Sequence, residues 1–256
     1  MKKTSVNPDF LKILQISDTH LFADEKETLN GVNTYQAFKD LITHLNKTEL
    51  HDTDLIYLTG DLSQDETSQS YEKIVALLDP LDIPIYWIPG NHDNLETLEA
   101  TFKKGHNFFN SRRLSTIHWN FIFLNTQLDG TPEGFLNDKE LQALRAEMES
   151  PQTSKLTAIV MHHHPIEVNT PLIDKLMLKN KDAFWDIVSN TNVKLIMCGH
   201  VHGDYQFQHQ NIFIETSPAS CYQFVKQTTE FAMENKIGCK FYKFDEEGFT
   251  SSVVWC

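Results

Sequence analysis

Short runs of apolar and β-branched residues recur along the chain, and each stops at a polar, loop-forming residue. They fall at residues 12–17 (KILQIS), 55–59 (LIYLT), 83–88 (IPIYWI), 121–125 (FIFLN), 158–162 (AIVMH), 194–198 (KLIMC) and 212–216 (IFIET). Runs this short, with both faces apolar, predict strands buried between layers. Between them the spacing turns helical. Residues 34–46 align Tyr35, Phe38, Leu41, Ile42 and Leu45, and residues 66–78 begin acidic and end apolar. Residues 138–148 open on Asp138 and align Leu141, Leu144 and Met148, and residues 182–189 form a shorter candidate. Near the end, residues 239–245 and 251–255 around the turn EEG predict a hairpin. No repeat, low-complexity tract or linker interrupts the pattern. One domain over residues 1–256 is therefore expected, with residues 225–256 completing a sheet. Alternating strand and helix, followed by gathered strands, predicts an α/β sandwich with more than one sheet.

Composition narrows the class of partner. A chain of 256 residues can bury a sizeable core. Lys+Arg 22 against Asp+Glu 35 leaves a net charge of −13, which excludes non-specific electrostatic binding of nucleic acid or an anionic membrane. The opening MKKTSVNPDFLKILQIS has no long apolar stretch before Pro8, so no secretory signal is expected, and the other apolar runs are too short to span a membrane. Cys198, Cys221, Cys239 and Cys256 are scattered, with no Cys-x-x-Cys pair, and are expected as reduced thiols in the cytoplasm. Residues 226–236 are polar and read as a surface loop.

The chemistry lies immediately beyond each strand. KILQIS leads to Asp18-Thr-His20, LIYLT to Gly60-Asp61, and IYWIP to Gly90-Asn91-His92-Asp93. AIVM leads to His162-His163-His164, and KLIMC to Gly199-His200-Val-His202. Each piece alone has an ordinary explanation as a turn or a helix cap. Together, five strand ends aim Asp, Asn and His at one crevice, which is where α/β proteins bind ligands. Gly60, Gly90 and Gly199 each precede a candidate ligand, where a sharp turn or close backbone approach is expected. Asp18, His20, Asp61, Asn91, His162, His200 and His202 offer oxygen and imidazole donors, a set suited to Mn, Fe or Zn. The set is too large for one transition ion and suits two, roughly 3.5–4 Å apart, sharing a carboxylate. Two divalent ions against two Asp and a hydroxide leave about one positive charge, which the acidic surface lacks.

This ordered set, spread over residues 18–202, resembles the calcineurin-like metallophosphoesterases. The resemblance implies a four-layer α/β/β/α sandwich of two mixed sheets flanked by helices. It implies that Asp18, His20 and His202 hold a first metal ion, that Asn91, His162 and His200 hold a second, and that Asp61 bridges them. His92 is then a catalytic residue beside the scissile phosphate, with Asp93 orienting it from behind. His20, Asp61, Asn91, His92 and His202 would also meet the substrate. Residues 14–38, 88–93, 161–165, 198–202 and 216–224 further resemble the bacterial class III cyclic-nucleotide phosphodiesterases, with departures after Gln223. That resemblance implies hydrolysis of 3′,5′-cyclic AMP to 5′-AMP by a hydroxide bridging the two metal ions, Fe and/or Mn with Zn also accepted. His92, as imidazolium, would protonate the leaving 3′ oxygen. The small-molecule substrate would be handled by a monomer or homodimer. Phe22, Tyr222 and Phe224 are candidates for stacking on adenine. A phosphomonoesterase, another diesterase, a phosphoprotein phosphatase or a non-catalytic scaffold would use the same fold.

Overall fold

In the computed structural model, which describes residues 10–150 and 155–256, the apolar runs pair into two six-stranded sheets. In the first, β1 (Leu11–Ile16), β2 (Leu55–Thr59), β3 (Ile85–Ile88) and β4 (Phe108–Phe109) are parallel neighbours. The C-terminal hairpin of β13 (Gly238–Phe244) and β14 (Phe249–Trp255) adds antiparallel beside β1. In the second, β6 (Trp119–Phe123), β7 (Leu156–Met161), β8 (Val193–Cys198) and β10 (Ile212–Thr216) are parallel. Antiparallel β5 (Arg113–Ser115) and β9 (Tyr205–His209) close its two edges.

Period-two alternation sorts the strand residues into layers. Ile13, Tyr57 and Ile88 meet Phe121, Val160, Leu195 and Met197 between the sheets. Their neighbours in sequence point the other way. Leu14, Ile16, Ile56 and Leu58 pack with α1 (Thr34–Thr48), α2 (Ser68–Leu78) and α3 (Leu95–Phe102). Ile122, Ile159, Met161 and Ile196 pack with α4 (Asp138–Glu149) and α5 (Lys181–Val188). The result is the α/β/β/α sandwich. Strands buried on both faces explain why the runs read as continuously apolar.

Four helix starts are set by side chains. Asn33, Thr67, Asn94 and Asn137 accept hydrogen bonds from the backbone N–H groups of Gln36, Ser70, Thr97 and Glu140. Thr67 capping starts α2 at Ser68 instead of residue 66, and Glu66 sits in the left-handed region at φ 59°. The reading of residues 226–236 as a plain loop needs correction. Met233–Glu234 (β12) pairs antiparallel with Gln223–Phe224 (β11), and the Phe231 ring packs 5.7 Å from that of Phe224. Two-residue strands carry no readable alternation, so a small flap looked like a loop. All four cysteines are free thiols. Among the described residues no helix is long and apolar enough to cross a membrane.

Candidate metal centre

The chain turns sharply where three of the donor-bearing strands, β1, β2 and β8, stop. Asp18, His20, Asp61, His200 and His202 all occupy the left-handed region, at φ 55°, 46°, 52°, 70° and 43°. Non-glycine residues rarely sit there, and such strain gathers where a side chain must be aimed. Two glycines let the strand ends close on one another. At Gly60 φ is +92°, and a Cβ would lie 2.5 Å from His162 Nδ1. At Gly90 a Cβ would lie 2.2 Å from Asp61 Oδ1. Backbone bonds from Asp18 N–H to the Gly60 carbonyl and from His20 N–H to the Asp61 carbonyl, each 3.0 Å, stitch the turns after β1 and β2 together.

The imidazoles face one another with their proton-bearing nitrogens already engaged. His162 Nδ1–H donates to the Thr59 carbonyl at 2.7 Å, leaving Nε2 3.2 Å from Asn91 Oδ1 and 3.3 Å from Asp61 Oδ2. His202 Nδ1–H donates to the Tyr222 carbonyl at 3.0 Å, leaving Nε2 3.5 Å from Asp18 Oδ1. His20 Nδ1–H donates to Gln64 Oε1 at 2.8 Å, leaving Nε2 3.1 Å from His202 Nε2 and 3.7 Å from Asp61 Oδ2. Acceptor lone pairs that converge away from water repel one another unless a cation lies among them. His200 adds to this: it is buried, its backbone N–H donates to both Asp18 oxygens at 3.1 Å, and neither ring nitrogen has a hydrogen-bond partner. Asp18, Asp61 and His162 form one group able to hold an ion, and His162 and His200 belong to another. The residues present thus fit a metal centre of nitrogen and oxygen donors.

The other candidates fall into distinct places. His92, half-buried, has its ring centroid 5.0 Å from that of His20, and its backbone N–H donates to Asp61 Oδ1 at 2.9 Å. Asp93 does not reach the His92 ring. Its carboxylate accepts from the backbone N–H groups of Leu62, Ser63 and Gly90 and from the Tyr71 hydroxyl, shaping the loop that carries His92. The hydrogen bond to the His92 ring comes from Gln64, whose Nε2–H donates to Nδ1 at 3.3 Å. Nothing in the sequence marked Gln64, which falls between the Asp61 strand end and the helix expected from residue 66. His163 bonds to Thr126 Oγ1 at 2.8 Å, and His164 stacks on His200 with centroids 5.7 Å apart. Phe224 stacks on His202 at 4.6 Å, and Tyr222 packs on the same ring, so both back a candidate ligand. Cys221 Sγ lies 3.7 Å from Nδ1 of His202, behind the converging nitrogens.

Burial sets the protonation of the metal-free cluster. It pushes Asp18 up to about 7 and His20 down to about 4, and holds His200 and His202 well below the usual imidazole range. Burial would also lower His162, but the adjacent Asp61 carboxylate overrides it and raises the ring to about 9. Asp61 is correspondingly held well below the usual carboxylate range, burial opposing and the His162 charge prevailing. One imidazolium thus stands where a cation fits.

Two facing mixed sheets with carboxylates and imidazoles gathered at their strand ends define the metallophosphoesterase class. The family model described as calcineurin-like phosphoesterase matches residues 11–204, and the chain belongs to that family. It is 34% identical over 231 residues to the 3′,5′-cyclic adenosine monophosphate phosphodiesterase CpdA of Vibrio vulnificus, covering 90% of this chain and 84% of that one. It is also 34% identical to a 3′,5′-cyclic-nucleotide phosphodiesterase of a Nostoc species, over 95% of this chain and 91% of the relative. The crystal structure of a dimetal phosphatase from Danio rerio superposes with a TM-score of 0.64 at 12% identity, covering 94% of this chain and 98% of that one, and shares the fold.

Proposed function

We propose that this chain hydrolyses 3′,5′-cyclic nucleotides, cyclic AMP foremost, to the 5′-monophosphate. The carrying observation is a relative named for that activity aligned over 90% of the chain, together with the convergence of imidazole, carboxylate and carboxamide donors described above. Asp18, His20 and His202 would hold one ion, and Asn91, His162 and His200 the other. Asp61, whose Oδ2 stands 3.7 Å from His20 Nε2 and 3.3 Å from His162 Nε2, would be the carboxylate shared by the two. Fe and Mn suit these donors, and Zn accepts them as well. When bound, two such ions acidify water and draw charge off the phosphoryl oxygens.

The chain's own groups do the rest. His20, Asp61, Asn91, His92 and His202 surround the place a phosphate would occupy, and His92 donates from its ring to the departing 3′ oxygen. One water is consumed: its oxygen joins phosphorus, the P–O3′ bond breaks, and O3′ ends with a proton. Beside Asn91 opens a wide cleft of about 850 Å³ lined by the carboxamides of Asn94, Asn125, Gln127 and Asn137 and by the carboxylates of Glu66, Glu96, Glu99 and Asp129. It has room for a nucleoside, and its carboxamides can pair with adenine's edge.

The test is turnover after metal removal and readdition. Purified protein is analysed for Fe, Mn and Zn, stripped with a chelator, and reloaded with Mn or Fe. Cyclic AMP, cyclic GMP, an aryl phosphodiester and an aryl phosphomonoester are then compared at matched concentration. Cyclic AMP is expected to turn over fastest. A preference for either aryl phosphate would point to a different phosphoester, and metal-loaded but inert protein would mark a scaffold.

A further inference from the structure

Gln64 lies outside every set of site residues read from the sequence, yet it touches both a candidate ligand and the leaving-group histidine. Its position is set by the backbone. Gln64 N–H donates to the Leu21 carbonyl at 2.9 Å, and Leu21 N–H to that of Leu62 at 3.0 Å, so the turns after β1 and β2 run side by side. This pairing sets the Gln64 carboxamide between the rings of His20 and His92.

The hydrogen bonds then determine one another in sequence. His20 Nε2 belongs to the converging donors, 3.1 Å from His202 Nε2 and 3.7 Å from Asp61 Oδ2. A lone pair is needed there, so the ring proton is on Nδ1. Nδ1–H meets Gln64 at 2.8 Å, which must present its oxygen. A carboxamide has oxygen on one side and nitrogen on the other, so its NH₂ faces His92 Nδ1 at 3.3 Å. His92 Nδ1 is therefore an acceptor, and a neutral imidazole with an accepting Nδ1 carries its proton on Nε2. The reverse amide orientation would set N–H against N–H at His20 and leave a donor unpaired.

We propose that Gln64 is a positioning residue that fixes His92 as its Nε2–H tautomer, so that the ring offers a hydrogen-bond donor to the oxygen leaving phosphorus. The tautomer rests on the hydrogen bonds alone, and its use rests on the function proposed above. His92 is thus tied twice: its backbone N–H to Asp61 and its ring, through Gln64, to His20. The two candidate metal ligands thereby set the orientation of a side chain that is not one of them.

Two variants test this. Gln64→Met keeps the length and removes both hydrogen bonds, whereas Gln64→Glu can only accept and favours a proton on His92 Nδ1. Nitrogen-15 spectra of histidine-labelled, zinc-loaded protein read the tautomer directly, with melting temperature as the check on folding. The expected pattern is Nε2–H in the parent, a mixture in Gln64→Met, and Nδ1–H in Gln64→Glu. In turnover, Gln64→Met should lower kcat for cyclic AMP about tenfold with little change in KM, a fraction of the usual worth of a positioned proton donor. Bis(p-nitrophenyl) phosphate, whose leaving group needs no donor, should lose much less. An Nδ1–H parent, a tautomer indifferent to both substitutions, or equal loss on the two substrates would overturn the assignment. If the parent leaves cyclic AMP intact, the functional reading falls, and the spectra still decide the tautomer.

Discussion

The backbone N–H of His92 and its ring have separable jobs. The N–H holds Asp61 Oδ1 at 2.9 Å, and any residue at position 92 except proline supplies it. The ring alone faces the leaving group in the proposed reaction. His92→Ala is therefore expected to retain its metal content while losing roughly 10²–10⁴-fold in cyclic AMP turnover, the usual worth of a positioned proton donor. Metal analysis beside a steady-state assay checks both halves, and turnover near the parent's would remove His92 from its role. At this scale much of the centre was legible, because a polar residue ending an apolar run stands out. Asp18, His20, Asp61, Asn91, His162, His200 and His202 do converge. Asp93 and Gln64 were not legible in the same way. Asp93 comes next after His92 in sequence but spends its carboxylate on the Leu62, Ser63 and Gly90 amides. Gln64 reaches His92 only because two turns pair, and that pairing involves backbone groups that no side-chain pattern reports.

Among the elements, the runs apolar on both faces were readable and the short edge pieces were not. β2 matches its expected range, Leu55–Thr59, because burial on both faces leaves no polar interruption, and β10 matches Ile212–Thr216 although Phe213 is exposed and Glu215 interrupts the apolar run. β9 alternates buried Tyr205 with exposed Gln206, and β4 and β11 have two residues each, too few for any period. The β13 strand hides another feature. Lys240 is fully buried in it, with Nζ 2.8 Å from Asp204 Oδ1 and 2.8 Å from Glu215 Oε2 on the opposite sheet. A lysine within GCKFYKF suggests a solvated position, and only the facing carboxylates explain its burial. Lys240→Met keeps the packing but strands two carboxylates, one of them only 7% exposed. The expected cost is about 3–5 kcal/mol in a urea melt. Adding Glu215→Gln should recover part of it, and a neutral single substitution would show that the ion triad contributes nothing.

The whole molecule is joined at its candidate centre, since Asp18, His20, Asp61 and Asn91 come after strands of the first sheet and His162, His200 and His202 after strands of the second. A cation held by both groups binds only the folded chain and so stabilises it by mass action. Its ligands must be unprotonated, so that stabilisation grows as pH rises. The metal-free chain should behave oppositely. His162 is raised from 6.5 to about 9, so its contribution is complete below about pH 6.5 and is lost as pH climbs through 9. Asp18, raised from 3.8 to about 7, also favours the folded state less as pH rises across that span. His20, lowered from 6.5 to about 4, works in the other direction between those values and largely offsets Asp18 there. Above about pH 6.5 the His162 effect is left to dominate. Thermal melts of Mn-loaded and chelator-treated protein, taken between pH 6 and 9, should therefore diverge, with the metal-free Tm falling and the gap widening. A gap that stays constant over that range would mean that proton release from these side chains is not coupled to cation binding, and that the two sheets are not bridged through this centre.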